Sequence, residues 1–253
     1  MMKSIFIKGV KISVCEMSSA ISEAMSLLSS GRPSYICVTD AGNVVNAYRN
    51  SSELRNAINN SDLSLPDGRP ISILAGMKGV EGIGRVAGPD FMQKIFEQTS
   101  GTNISHFFLG DTNEILDKLI NELSTKYNIK ISGFYSPPFE NWSPATDDDI
   151  IKRLRIVNAD FIWVSLGGGK QEVWMMKNHE LLEKGVMIGV GAAFRFLTGD
   201  IQRAPIMMQK TGLEWLYRLI QQPGKMFGRY AGTLPYFAAY SIQELFNNKM
   251  TPK

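Results

Sequence analysis

Short apolar runs alternate along this chain with segments in which apolar residues recur every three to four positions. The runs at 104–109, 129–134, 161–166 and 186–190 have the length of buried strands and are bounded by turn residues. Between the first two, Ile115, Leu119 and Leu123 recur every four residues behind Asp111 and Glu114, which form a capping box. Ile150, Ile151, Leu154 and Val157 make a second helical stripe that Thr146 can cap, and the proline-rich SPPFENWSPA before it is a loop. Strand and helix repeating in this order predict βαβ crossovers. The expected fold is α/β, a Rossmann-like parallel sheet flanked by helices, with a ligand site at the C-terminal ends of its strands.

The first hundred residues are less regular. Met17, Ile21, Met25 and Leu28 share a helical face, and 34–38 reads as a strand running into the polar loop Thr39-Asp40-Ala41-Gly42-Asn43. A second strand-like stretch ends at Leu65-Pro66-Asp67-Gly68. Near the other end, Leu213, Leu216, Leu219 and Ile220 form one face of a helix flanked by cations and stopped by Gln221, Gln222 and Pro223. With no internal repeat and no linker, the expected division is a main α/β domain over 1–194 and a basic, amphipathic, helical C-terminal appendage over 195–253, meeting softly between 195 and 212.

Composition narrows the class. A 44% hydrophobic and 20% charged chain of 253 residues is ordinary for a globular protein. Nothing approaches the run of about 18 apolar residues that a membrane span needs, and Lys3, Lys8, Lys11 and Glu16 interrupt the N-terminal segment, so neither a signal peptide nor a span is expected. Cys15 and Cys37 are too few for a disulfide framework or a zinc site, which favours a reducing cytoplasm, and His106 and His179 stand alone. The charge is uneven. From Arg195 onward eight basic residues face three acidic ones, a net +5, which leaves −2 for the preceding 194 residues. Those cations are interleaved with Trp215, Tyr217, Phe227, Tyr230, Tyr236, Phe237 and Tyr240, which suits the headgroup region of an anionic membrane, although core packing is an equally common fate for such a stripe.

Four features could carry chemistry. Gly167, Gly168 and Gly169 follow a buried strand and open a helix, with Lys170 beside them; such a turn either holds a phosphate on backbone N–H groups or is a tight connection without a ligand. The stretch GIGRVAG from Gly82 misses the dinucleotide spacing by one residue. Asp67 in Pro-Asp-Gly is either a turn acid bonded to nearby backbone or a general base at a strand end, and the Thr39 hydroxyl either caps a helix or meets a phosphate or sugar oxygen. Asp147, Asp148 and Asp149 occupy the first turn of a helix, where they answer its dipole rather than hold a metal.

Across most of its length the sequence resembles the WecG/TagA/CpsF family of bacterial glycosyltransferases, family 26. The matching motifs are Thr39 with DGRP at Asp67, RVAGPD from Arg85, FFLGD from Phe107, LGGGKQEVW from Leu166, GVGAAF from Gly189, and RAP followed by GLEWLYRL from Arg203. The resemblance implies a GT-E type fold and a hexosyltransferase that works with inversion and without a metal or other cofactor. The sugar would pass from a UDP-sugar, itself a substrate, to an undecaprenyl-diphosphate-linked saccharide. It implies Asp67 as base, Thr39 as an active-site contact, Gln171 as a further active-site residue, and Gly110, Gly167, Gly168, Gly169, Lys170 and Gly191 on the donor side. Arg203, Arg218, Lys225 and Arg229 would belong to an arm that meets the membrane or a diphosphate. The implied partners are the donor, the lipid-linked acceptor and the anionic inner-membrane surface, with no nucleic acid; family members can also self-associate. The implied place is the cytoplasmic face of the membrane, as a peripheral protein. Departures are GGGKQE for GAPKQE, Arg195 where an acid follows GAAF, Gly-Asp-Thr at Gly110 for GGKPG, and Lys225 and Gly228 at positions often held by arginine. DGRP also differs from the form common among N-acetylmannosamine transferases, which points to a hexose such as glucose. The rival readings are a nucleotide-dependent oxidoreductase, which lacks its fingerprint here, and a non-catalytic nucleotide-binding or scaffold protein of polysaccharide assembly.

Overall fold

The computed structural model of the protein describes residues 2–246, apart from the side chains of Lys210 and Lys225. In chain order, β1 (Ser4–Ile7) and β2 (Val10–Ser13) form an antiparallel hairpin and are followed by α1 (Met17–Ser29), β3 (Ser34–Thr39), α2 (Ala41–Arg49), α3 (Ser52–Asn60), β4 (Leu63–Pro66) and α4 (Arg69–Met77). Then come α5 (Gly88–Thr99), β5 (Ser105–Gly110), α6 (Asn113–Lys126), β6 (Lys130–Tyr135), α7 (Pro144–Val157), β7 (Phe161–Ser165), α8 (Lys170–Asn178), β8 (Val186–Gly189) and α9 (Ala193–Leu197). The chain closes with α10 (Ile206–Thr211), α11 (Glu214–Gln221), α12 (Pro223–Ala231) and α13 (Leu234–Phe246). The main sheet has six strands in the order β4-β3-β8-β7-β5-β6, and β3, β8, β7, β5 and β6 pair in parallel. The α/β class and the Rossmann-like sheet expected from the alternating pattern are therefore found.

The compact units do not follow chain order. Unit 1 gathers 1–20, 38–87 and everything from 202 onward, and unit 2 gathers 21–37 and 88–201. Residues from 202 onward share a unit with the N-terminal hairpin, α2, α3, β4 and α4. Aromatic contacts account for this. Tyr240 of α13 meets Tyr48 of α2 edge-on with ring centroids 5.2 Å apart, and the Arg49 guanidinium lies 3.5 Å from the Tyr236 ring centre. Met226 and Phe237 are buried, and the Lys8 N–H donates to the Glu244 carboxylate at 3.3 Å.

In unit 2, β5 and β7 are buried along their whole length and mostly apolar, as parallel strands covered on both faces require, whereas the edge strand β6 is only partly buried. Phe96, His106, Phe161 and Trp163 form its aromatic centre, in which Trp163 Nε1 donates to His106 Nδ1 at 3.1 Å. Burial pushes the His106 pKa down to about 4, so the imidazole is a neutral core group. β5 and β7 approach so closely at their ends that a Cβ on Gly110 would lie 2.2 Å from the Ser165 carbonyl oxygen.

Four local expectations shift. The buried stripe of α1 is Ala20, Ala24 and Leu27, one position away from Met17, Ile21, Met25 and Leu28, because small residues allow closer packing than the flanking methionines. The expected loop after Thr39 is the start of α2, capped by Asp40. Helix α7 starts earlier than expected, with Ser143 as its cap and Thr146 three residues inside it, closing a capping box. Thr112, not Asp111, caps α6.

Candidate functional site

Within unit 1, strands β3 and β4 end side by side, and the Asp67 N–H donates to the Thr39 carbonyl at 2.9 Å. Gly68, at φ 84°, turns the chain directly into α4, with Pro70 in the first helical turn. Gly68 rather than Asp67 holds the cap position, and among the described residues no hydrogen bond reaches the Asp67 carboxylate. The turn therefore does not use this acid in the way Asp commonly serves turns. The carboxylate is partly accessible, yet desolvation, reinforced by the charge of Asp40 and opposed by Arg85, pushes its pKa up to about 7.

Thr39 is fully buried, and its hydroxyl shares a 2.9 Å hydrogen bond with the Ser64 hydroxyl, fastening β3 to β4. It caps no helix. Asp40 does so through Oδ1, which accepts the Asn43 N–H at 2.7 Å, while its Oδ2 accepts from Arg229 Nη2 at 2.7 Å.

The arginines of the C-terminal segment face these acids. The Glu214 carboxylate pairs with the Arg85 guanidinium and lies 3.3 Å from Arg203 Nε, while Arg203 Nη2 donates to Gln209 at 3.0 Å. Burial lowers the Arg218 pKa, opposed by neighbouring Tyr230, and both Asp40 and Asp67 act on this guanidinium. Thus Asp67, Thr39, Arg203, Arg218 and Arg229 come together within unit 1, whereas the Lys225 side chain lies outside the described residues. Chemically, the cluster offers a carboxylate that exchanges a proton near neutrality beside guanidiniums suited to an anion.

Within unit 2 the glycine turn opens α8 as expected, but its donors are partly used. The buried Glu172 carboxylate accepts the Gly169 N–H at 2.7 Å, and the Gln171 N–H donates to the Gly167 carbonyl at 3.1 Å. Gly167 and Gly168 are exposed, as is Lys170. Gln171 is 2% exposed; its Oε1 accepts the Gly191 N–H at 3.1 Å and its Nε2 donates to Glu172 at 3.0 Å, making it a strut between α8 and the end of β8. The Gly191 carbonyl accepts from Ser165 Oγ at 2.7 Å. Unit 2 therefore brings Gly110, Gly191, Gln171 and the glycine turn to the C-terminal ends of β5, β7 and β8.

The aspartate triplet at the start of α7 diverges. Asp147 accepts from both Trp142 Nε1 at 3.0 Å and Trp174 Nε1 at 2.8 Å, Asp149 binds Arg153 and the Tyr135 hydroxyl, and Asp148 is exposed. Among the described residues no three His, Cys, Asp or Glu side chains converge as a metal set.

The model for the family described as "Glycosyl transferase WecG/TagA/CpsF family" matches residues 5–251 of the chain. The chain belongs to this family. As a WecG/TagA/CpsF protein, of glycosyltransferase family 26, it is a glycosyltransferase of bacterial surface polysaccharide synthesis, a family that uses a nucleotide-sugar donor and a lipid-linked acceptor. No helix among its described residues is long and apolar enough to cross a membrane.

Two departures from the WecG/TagA/CpsF pattern prove to be partners. Asp111 sits at φ 58°, a conformation natural to the glycine of the family motif, and receives Arg195 Nη2 at 2.8 Å and Nε at 3.0 Å. Asp40, Arg85 and Glu214 also belong to the cluster around Asp67, although the local sequence does not mark them as such. The signal for Asp40 is its place before Ala41-Gly42-Asn43, an N-cap followed by helix; Arg85 and Glu214 lie inside family motifs, but nothing local says that they pair.

Proposed function

We propose that this WecG/TagA/CpsF glycosyltransferase moves a hexose from a UDP-sugar to an undecaprenyl-diphosphate-linked saccharide, with inversion and without a metal, using Asp67 as general base. The observation that carries the reading is the Asp67 carboxylate: free of hydrogen bonds among the described residues, tuned to about 7, and faced by Arg85, Arg203, Arg218 and Arg229. In the step proposed, the acceptor hydroxyl oxygen attacks the anomeric carbon and its proton passes to Asp67. The bond from that carbon to the diphosphate oxygen breaks from the opposite face, and its electron pair leaves with UDP. The departing diphosphate gains charge, and guanidiniums fixed in advance by Glu214 and Asp40 meet it without reorganising. Thr39, locked to Ser64, supports this arrangement through its carbonyl on the Asp67 N–H. On the donor side we assign Gly110, Gly167, Gly168, Gly169, Lys170, Gln171 and Gly191, with the exposed Lys170 the residue best able to reach a phosphate.

The inward pairing of Arg203 and Arg229 favours an anion-binding role for them. Membrane contact then falls to exposed apolar residues of the last helices, such as Met207 and Phe227. The protein so described works at the cytoplasmic membrane face as a peripheral protein, with self-association as a further property to measure.

The test is transfer from UDP-glucose and other UDP-sugars to a lipid-diphosphate saccharide. Wild-type kcat/KM is expected to rise through about pH 7, and Asp67→Asn to lower kcat by a factor on the order of 10² to 10⁴ while UDP binding persists. Undiminished turnover in Asp67→Asn sinks the assignment. UDP binding without acceptor-dependent UDP release identifies a non-catalytic protein.

A further inference from the structure

Asp40 carries no proton in the transfer step, yet it stands beside the base. Its preceding residue, Thr39, accepts the Asp67 N–H at 2.9 Å, so the two acids leave neighbouring strand ends. One oxygen of Asp40 is fixed by capping α2 at 2.7 Å, and the other is held by Arg229 of α12 at 2.7 Å. The capped acid cannot move without fraying a helix. The guanidinium, with its side chain 40% exposed, is the half of the pair that carries no helix cap.

We propose that Asp40 is a positioning residue for the proton on Asp67: its fixed negative charge strengthens that base, and Arg229 sets how much of the charge Asp67 experiences. The inference rests on the reading of Asp67 as general base.

The charged groups facing Asp67 are Asp40 at the start of α2, Arg85 after α4, Arg203 before α10, Glu214 and Arg218 on α11, and Arg229 on α12. Among these charges Asp40 acts most strongly on Asp67, in the direction that keeps the proton on. Glu214 acts the same way but is shared between Arg85 and Arg203. Asp40 is the primary cause holding the Arg229 guanidinium in its charged form, so the pair is mutually supporting.

Asparagine caps helices about as well as aspartate, so Asp40→Asn removes the charge and keeps the cap. The expected result is a shift on the order of one pH unit in the acid limb of the kcat/KM profile, to lower pH in Asp40→Asn and to higher pH in Arg229→Gln. The same shifts are expected in a carboxyl ¹³C titration of Asp67 in the full chain, assigned by the signal missing from Asp67→Asn. A rate lowered at every pH with an unmoved limb means that Asp40 is only a cap and overturns the proposal. A shift of the same sign in both variants also overturns it. Because the titration needs no turnover, the two readings separate. Shifts as expected with full activity in Asp67→Asn remove the base and leave the coupling; an inactive Asp67→Asn with an unmoved titration removes the coupling and leaves the base.

Discussion

A carboxylate held ready to take a proton at neutrality is a liability to its fold, and Asp67 carries that liability. In the unfolded chain an aspartate titrates near ~3.9, whereas here desolvation lifts it to about 7. Below both values the folded and unfolded states bind the same proton and the group is neutral in effect. Between them the unfolded chain releases its proton first, so stability falls as pH rises, and the loss is complete above about 7. Asp67→Asn should therefore stabilise the protein at pH 8 by on the order of 2 kcal/mol, allowing for solvent screening of a partly accessible group, and hardly at all at about pH 3. Urea unfolding at the two pH values reads this directly, and equal stability of variant and wild type at pH 8 rules out the desolvated carboxylate. At this scale the local pattern leaves Asp67 between a turn acid and a general base, because Pro-Asp-Gly is good turn chemistry whatever the side chain does next. Thr39 offers a hydroxyl at a strand end, while Asp40, which both caps α2 and binds Arg229, is the neighbour whose charge reaches the base.

Between β5 and α6, a local rule is broken and repaired by a distant residue. An aspartate at φ 58° costs on the order of 1–2 kcal/mol relative to glycine, and the double hydrogen bond from Arg195 to Asp111 offsets it. The expected outcome is that Arg195→Ala destabilises by about 1–3 kcal/mol, and that adding Asp111→Gly in that background recovers part of the loss. A double-mutant cycle by urea unfolding checks it; if Asp111→Gly harms the Arg195→Ala protein as much as the wild type, the pair is not what holds the turn. Strands β7 and β8 are legible because each is a short, mostly apolar and fully buried run, as Phe161 to Val164 shows. Helix α13 is not, because its aromatics are spread around it and only Phe237 is fully buried, so no single stripe announces it. Capping residues slip by one to three positions, as at Thr112 and Ser143, because several polar residues in a row can each offer an oxygen and only packing chooses among them.

Across the whole chain, periodicity says nothing about which distant segments share a core, and the grouping of 202 onward with 38–87 rests on contacts such as Arg49 with Tyr236 that no local pattern contains. That grouping also reassigns the basic tail. Its net positive charge reads from sequence as a membrane signal, but Arg203 and Arg229 are engaged with Glu214 and Asp40. Among the described residues, the final helices leave several large apolar side chains in solvent: Ile206 is 69%, Met207 79%, Ile220 70% and Phe227 68% exposed. If these residues dock the protein, binding to vesicles containing anionic lipid should survive raised salt better than a purely electrostatic attachment would. Burying two such side chains contributes on the order of 3 kcal/mol, so Ile206→Asp with Met207→Asp should weaken vesicle partitioning by roughly a hundredfold. Arg229→Gln should change it little, because that guanidinium faces Asp40 rather than the lipid. Sedimentation with vesicles at low and high salt separates the cases: complete release by salt, or partitioning indifferent to the two aspartates, returns membrane attachment to the cations and takes it from the apolar helices.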